Sequence, residues 1–365
     1  MSSATRRDVL KLGTTAAFTA LSPGLLLGQE KPAAPTKKPA APKADPYADA
    51  VFQAGPPPMP AKGSFTIAVL PDTQMYCQSV PEGFYAQTQW LVDHKQDRNI
   101  AAVLHLGDIT NRNTPEQWEV AQKAMRQLDG HIPYFMVCGN HDYGPGGGCA
   151  DRTTHFNEYF PLRHYSDLKT FGGVYDKEPD RFENSYHTFT AGGRKFIVVA
   201  LEFGPRNDVI RWANEVVAKH KDHAAILITH AYMYYDETRY DWKKYGKKQT
   251  WNPHDYAVAK ATNDDINDGE ELWNKLVSPN GNFLMTLNGH VLNDGLGRVV
   301  TKDAKQRDVA QMLVNFQMKP KGGDGWMRLL EFKADSVTVD VIDYSPTRNE
   351  CNVSWQNRFS LTLPA

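Results

Sequence analysis

A chain of 365 residues with 41% hydrophobic and 11% aromatic content can bury one large core or two modest ones, which excludes an intrinsically disordered protein. Lys and Arg number 41 against 42 Asp and Glu, a formal net charge of −1. No basic excess points to a nucleic-acid backbone and no acidic excess to a solvating tail, so partners have to be read from particular residues.

The chain opens with Thr5-Arg6-Arg7-Asp8-Val9-Leu10-Lys11, then a moderately apolar stretch over 12–27 interrupted by Gly13, Pro23 and Gly24. A membrane span needs roughly 20 apolar residues, which this stretch does not supply. Paired arginines ahead of a weakly apolar region resemble a twin-arginine export signal, so residues 1–28 are expected to direct export to the periplasm or cell envelope. Residues 29–62 are dominated by Pro, Ala and Lys and lack apolar periodicity. They are expected to form an extended spacer, with the folded domain over 63–365.

Residues 65–70 form an apolar, β-branched run ended by Pro71 and predict a buried strand. A helix is predicted over 82–98, a strand over 101–106, a helix over 115–128 opening on Pro115, and a strand over 132–137. That alternation predicts a parallel sheet built from right-handed crossovers. Further on, strands at 195–201 and 224–229 flank a helix at 207–221. Asp268 reads as a helix N-cap, with Glu271 three residues on, and 283–287 as another strand. From Gln311 onward only strands are predicted, at 311–316, 326–332, 337–342 and 358–363, which suggests a second, largely antiparallel sheet packed on the first.

Successive strand ends carry residues able to bind metal: Asp72-Thr73-Gln74, Gly107-Asp108, Gly139-Asn140-His141-Asp142, Thr229-His230 and Gly289-His290. Asp72 and Asp108 are 36 residues apart and Asp108 and Asn140 32 apart, each one βαβ unit, so the chain returns repeatedly to one sheet edge. A carboxylate can bridge two cations there, while imidazoles and an Asn carbonyl complete a shell suited to transition metals. Two cations about 3.5–4 Å apart polarise a phosphoryl oxygen and supply hydroxide near neutral pH. Singly, Asp and Gly at strand ends are ordinary turn residues.

Taken in order, these elements resemble the signature of calcineurin-like metallophosphoesterases. The resemblance implies an α/β fold, a four-layer α/β/β/α sandwich of two mixed sheets flanked by helices. It implies hydrolysis of a small phosphate mono- or diester at two metal ions (Mn, Fe, Zn or Mg), with His141 assisting the leaving oxygen. Carried over by position, one metal falls to Asp108, Asn140, His230 and His290, and the other to Asp72, Asp108 and Gln74. The family usually has His at the positions of Gln74 and Leu292. A Gln carbonyl is a weaker ligand and Leu292 offers none, which favours a weak second site, with neighbouring Asn293 or Asp294, or water, as candidates to fill it. A degenerate, non-catalytic relative that binds metal or a phospho-ligand is the alternative. Asn111 stands where purple acid phosphatases have a Tyr ligand, which disfavours that group.

His105, inside a strand, reads as a hydrogen-bonded core histidine. The aromatic and lysine-rich stretch 232–254 follows His230 directly. It reads either as a wall or lid over the metals or as a solvated excursion packed by its own aromatics. The run 144–148 reads as a mobile glycine-rich rim without the Lys and Ser or Thr of a P-loop. Cys77 and Cys149 each follow a candidate ligand motif, and both a disulfide and free thiols are compatible with the sequence.

Overall fold

The structure, a computed structural model, describes residues 45–365. The expected export segment 1–28 lies outside the described residues. Among those described, no helix is long and apolar enough to cross a membrane.

Strands β1 (Phe52–Ala54), β2 (Phe65–Leu70), β3 (Ile100–His105) and β4 (Tyr134–Met136) belong to a first sheet, in which β2, β3 and β4 run parallel. The chain then builds a second, seven-stranded sheet from β5 (Phe171–Val174), β6 (Ser185–Ala191), β7 (Arg194–Leu201), β8 (Ala224–Thr229), β9 (Phe283–Asn288), β10 (Leu296–Lys302) and β11 (Asp308–Val314). Its order is β10-β11-β9-β8-β7-β6-β5, with β7, β8, β9 and β11 parallel. Finally β12 (Met327–Phe332), β13 (Thr338–Ser345), β14 (Glu350–Asn352) and β15 (Arg358–Thr362) return to the first sheet, where β12 pairs antiparallel with β2.

Residue alternation sorts side chains between layers. In β2, Phe65, Ile67 and Val69 enter the core between the sheets with Phe196, Val198, Ile226 and Phe332. Ala68 and Leu70 point the other way, onto Phe84, Leu91 and Trp118 of the covering helices Glu82–Asp93 and Pro115–Met125. Each large apolar side chain so buried stabilises the fold by roughly 1.5–3 kcal/mol before entropy is counted. The second sheet is covered by the helix Asn207–Lys219, which buries Val209, Ile210, Trp212, Val216 and Val217. The result is the expected α/β/β/α sandwich of two mixed sheets.

Two expectations are corrected. The strands after Gln311 do not form a sheet of their own: β11 joins the second sheet beside β9, and β12–β15 complete the first. The spacer also ends sooner than residue 62. β1 pairs with β14, the Tyr47 hydroxyl donates to Asp324 at 2.6 Å, and Arg98 donates to the carbonyls of Pro57 and Pro58 at 2.6 and 3.1 Å. Prolines lack an N–H but keep a carbonyl, so a Pro-rich segment can still be tied to the domain by an arginine.

Candidate metal centre

β2 and β3 lie in register with Leu70 opposite His105, and Leu106 donates its N–H to the Leu70 carbonyl at 3.0 Å. Just beyond, the backbone turns sharply. Asp72 (φ 25°), Asp108 (φ 46°) and, after β9, His290 (φ 77°) all adopt positive φ. Such conformations cost on the order of 1–3 kcal/mol each and persist where the surroundings over-determine them. Part of that support is His105, which is fully buried. Its Nε2 pairs with the Thr73 hydroxyl at 2.9 Å, its Nδ1 accepts from Gly107 N–H at 3.2 Å, and burial pushes it down to about 3. It is a neutral scaffold histidine, as expected.

The turns bring the separated ligand candidates together. His230 Nε2 lies 3.1 Å from Asp108 Oδ1 and 4.0 Å from Asp72 Oδ1. His290 N–H donates to Asp72 Oδ1 at 3.0 Å, and the two imidazole rings stand 4.9 Å apart. Donor atoms of Asp108, His230 and His290 all fall within 4.8 Å of one another. Asn140 enters through the next turn, where His141 N–H donates to Asp108 Oδ1 at 2.9 Å; Gln74 enters two residues after Asp72.

The donor set fits a cation. Asp72 Oδ2, Gln74 Oε1, Asn140 Oδ1 and His230 Nε2 are buried without an aligned hydrogen-bond partner. A buried polar atom left so costs about 1–3 kcal/mol, and two of the four, on Asp72 and His230, belong to side chains that approach to 4.0 Å, an arrangement that suits a cation. Both imidazoles are oriented by carbonyls, which can only accept. His230 Nδ1–H donates to Leu106 O at 2.7 Å and His290 Nε2–H to Trp251 O at 2.8 Å. His230 Nε2 and His290 Nδ1 are thereby left with free lone pairs, as metal-binding imidazoles require.

Electrostatics agree. Burial, reinforced by Asp108, holds the Asp72 carboxyl well above the usual range, although His230 opposes it. Burial also acts to raise Asp108, but His230 and His141 outweigh it and hold this carboxyl far below the usual range. Burial pulls His230 down while Asp108 and then Asp72 pull harder the other way, taking it up to about 9. Burial and the neighbouring His230 charge push His290 down to about 3.

The motif glycines are needed for close approach. A Cβ on Gly289 would stand 2.1 Å from Asp72 Oδ2, and one on Gly139 would stand 2.2 Å from Asp108 Oδ1. Gly289→Ala is therefore expected to displace the Asp72 carboxylate and weaken metal binding at that side at least about tenfold, read by Mn(II) titration; disturbing what holds a ligating group in place has effects of this size.

His141 is part-buried, and its Nδ1–H donates to the Asn111 carbonyl at 2.9 Å, leaving Nε2 as the ring nitrogen free to act. Asp142 does not orient this ring. Asp142 accepts instead from Gly139, Ile109 and Thr110 N–H and from the Thr110 hydroxyl, binding the Asp108 turn to the Asn140 turn. Asn293 and Asp294 line a cleft of about 740 Å³ with Asp45, Asp49 and Lys319, and Asp294 accepts from Leu296 N–H at 3.2 Å. Gly147 is part of the rim expected to be mobile, yet a Cβ there would meet Asn111 O at 2.5 Å and His141 O at 2.8 Å, so it packs tightly under the site. The four cysteines are buried and free. Sequence reasoning missed the Asn111 and Trp251 carbonyls and Phe203, whose ring centroid lies 6.0 Å from that of His230 and 5.4 Å from that of His290. Backbone acceptors carry no side-chain signature.

Donors gathered where several strands of two stacked sheets end, rather than along one loop, make this a metallophosphoesterase-type sandwich. The chain belongs to the calcineurin-like phosphoesterase family, whose family model matches residues 65–261. It is 31% identical over 299 residues to the uncharacterized protein YvnB of Bacillus subtilis (strain 168), covering 79% of this chain and 20% of that protein. The chain thus spans about one-fifth of the length of that curated relative. Among solved structures it is similar to the purple acid phosphatase PPD1 from yellow lupin (Lupinus luteus) seeds, at 12% identity and a TM-score of 0.45, over 83% of this chain and 55% of that one. It is also similar to GAP50, the anchor in the inner membrane complex of Plasmodium, at 11% identity and a TM-score of 0.45, over 83% and 90%.

Proposed function

We propose that this chain hydrolyses a phosphate mono- or diester, with one divalent cation held by Asp108, Asn140, His230 and His290 and a second, weaker one by Asp72, Asp108 and Gln74. The approach of Asp108, His230 and His290, carried at strand ends of both sheets, with buried unpartnered donors on Asp72, Gln74, Asn140 and His230, supports this reading. Bound cations supply Lewis-acid polarisation of the phosphoryl oxygens and a nucleophile available at neutral pH. The protein's own part is positional. Asp108 Oδ1 lies 3.1 Å from His230 Nε2 and accepts from His141 N–H, and the Leu106 and Trp251 carbonyls fix the imidazole faces. His141 holds a proton at Nε2, anchored through Nδ1 to Asn111, and gives it to the departing oxygen. Oxygen-rich donors at Asp72 and Gln74 suit Mn or Mg better than Zn. The chain acts outside the cytoplasm, in keeping with its N-terminal residues.

A non-catalytic metal or phospho-ligand binder of the same fold is the second reading, favoured by Leu292, which offers no donor. Hydrolysis of a generic aryl phosphodiester with added Mn(II) separates the two. Turnover that is lost in both Asn140→Ala and His230→Ala supports catalysis. Metal binding without turnover by the parent chain, across aryl mono- and diesters, supports the binder.

A further inference from the structure

The stretch 232–254 reaches the site through its backbone. Trp251, a residue 41% exposed, has φ 64°, a strained conformation for a bulky residue, and its carbonyl is the acceptor for His290 Nε2–H. Both flanks of this residue are pinned. On one side the Thr250 carbonyl accepts from the Tyr240 hydroxyl and the Thr250 hydroxyl pairs with Tyr234, each at 2.9 Å. On the other, Asn252 is fully buried; its Oδ1 accepts from His254 N–H at 3.0 Å and its Nδ2 donates to Asp268 Oδ2 at 3.3 Å. Asp268 is itself fixed, accepting from Trp242 N–H at 2.6 Å and capping the helix Gly269–Leu272 through Glu271 N–H at 3.1 Å. His254 bridges Asp264 and Glu271 at 2.7 and 2.9 Å.

We propose that the 250–252 turn, locked by Asn252 on Asp268, is a positioning device for the metal centre. It holds the Trp251 carbonyl on His290 Nε2–H, which keeps the proton off Nδ1 and aims that nitrogen at the cation. This rests on the reading of His290 as a ligand. Asn252 and Asp268 touch no reacting atom; they act through Trp251 and His290. The excursion is thus a structural part of the metal site, not only a wall beside it. Losing an outer-shell partner of a ligating imidazole typically weakens metal affinity 10–100-fold.

The test is Mn(II) titration of the full chain, free of any activity readout. Asn252→Ala is expected to weaken the tighter site about 10–100-fold. Asn252→Ser, which keeps an acceptor for His254 N–H but loses the amide donor to Asp268, is expected to recover only part of that loss. Trp251→Gly keeps the carbonyl and accepts positive φ freely, so it is expected to bind like the parent. Trp251→Pro fixes φ near −65° and is expected to lose affinity as Asn252→Ala does. Parent-like affinity in both Asn252→Ala and Trp251→Pro overturns the proposal. Should those two variants fail to fold, nitrogen-15 spectra of the metal-free parent decide: a proton on His290 Nε2 is expected, and a proton on Nδ1 alone overturns it. A chain that shows this affinity pattern yet hydrolyses no phosphoester keeps the inference and removes the proposed function.

Discussion

The His141→Ala variant is expected to bind Mn(II) like the parent and to hydrolyse an alkyl phosphoester about 10²–10⁴-fold more slowly, the usual range for a positioned general acid. Metal binding survives because the contact of residue 141 with Asp108 is made by its backbone N–H, which alanine retains. The lost group is the imidazole, whose free nitrogen is Nε2 once Nδ1–H is committed to the Asn111 carbonyl. A leaving group that needs no proton makes the acid dispensable, so the deficit should shrink on a nitrophenyl ester. Equal deficits on both substrates, or near-parent turnover on the alkyl ester, would remove His141 from the mechanism.

The second large effect is expected at a residue that touches neither metal nor substrate. Asp142 accepts from Gly139 N–H at 2.8 Å, Ile109 N–H at 3.0 Å, Thr110 N–H at 2.7 Å and the Thr110 hydroxyl at 2.9 Å. Asp142→Ala leaves three buried backbone donors unpaired, each at a cost of about 1–3 kcal/mol, so a loss of at least about 3 kcal/mol is expected in urea unfolding. The same change releases the Asp108 turn from the Asn140 turn, and metal affinity is expected to fall with stability. Unchanged stability would mean that water replaces the carboxylate and that the two turns are held by other contacts.

Much of the site was legible because its chemistry is written in side chains at strand ends. The Gly139-Asn140-His141-Asp142 run, the 36- and 32-residue intervals and His290 after a glycine all predict convergence, and the structure brings Asp72, Asp108, His230 and His290 together with the His141 backbone beside Asp108. The helix cap at Asp268 was equally local, and its carboxylate does accept from Glu271 N–H. Partners far apart in the chain were harder to foresee. β12 pairs with β2 across more than two hundred residues, and an alternating apolar pattern names a strand without naming its sheet. β1 was hidden in a Pro-rich segment whose composition argues against regular structure. The Trp251 and Asn111 carbonyls were invisible for another reason: every residue has a carbonyl, and only geometry selects which one faces an imidazole.

Anomalous diffraction from crystals grown with Mn(II) locates the metal. A strong peak is expected among Asp108, Asn140 Oδ1, His230 Nε2 and His290 Nδ1, with a weaker one beside Asp72 and Gln74. Manganese bound elsewhere, with these donors left bare, would rule out the proposed metal centre.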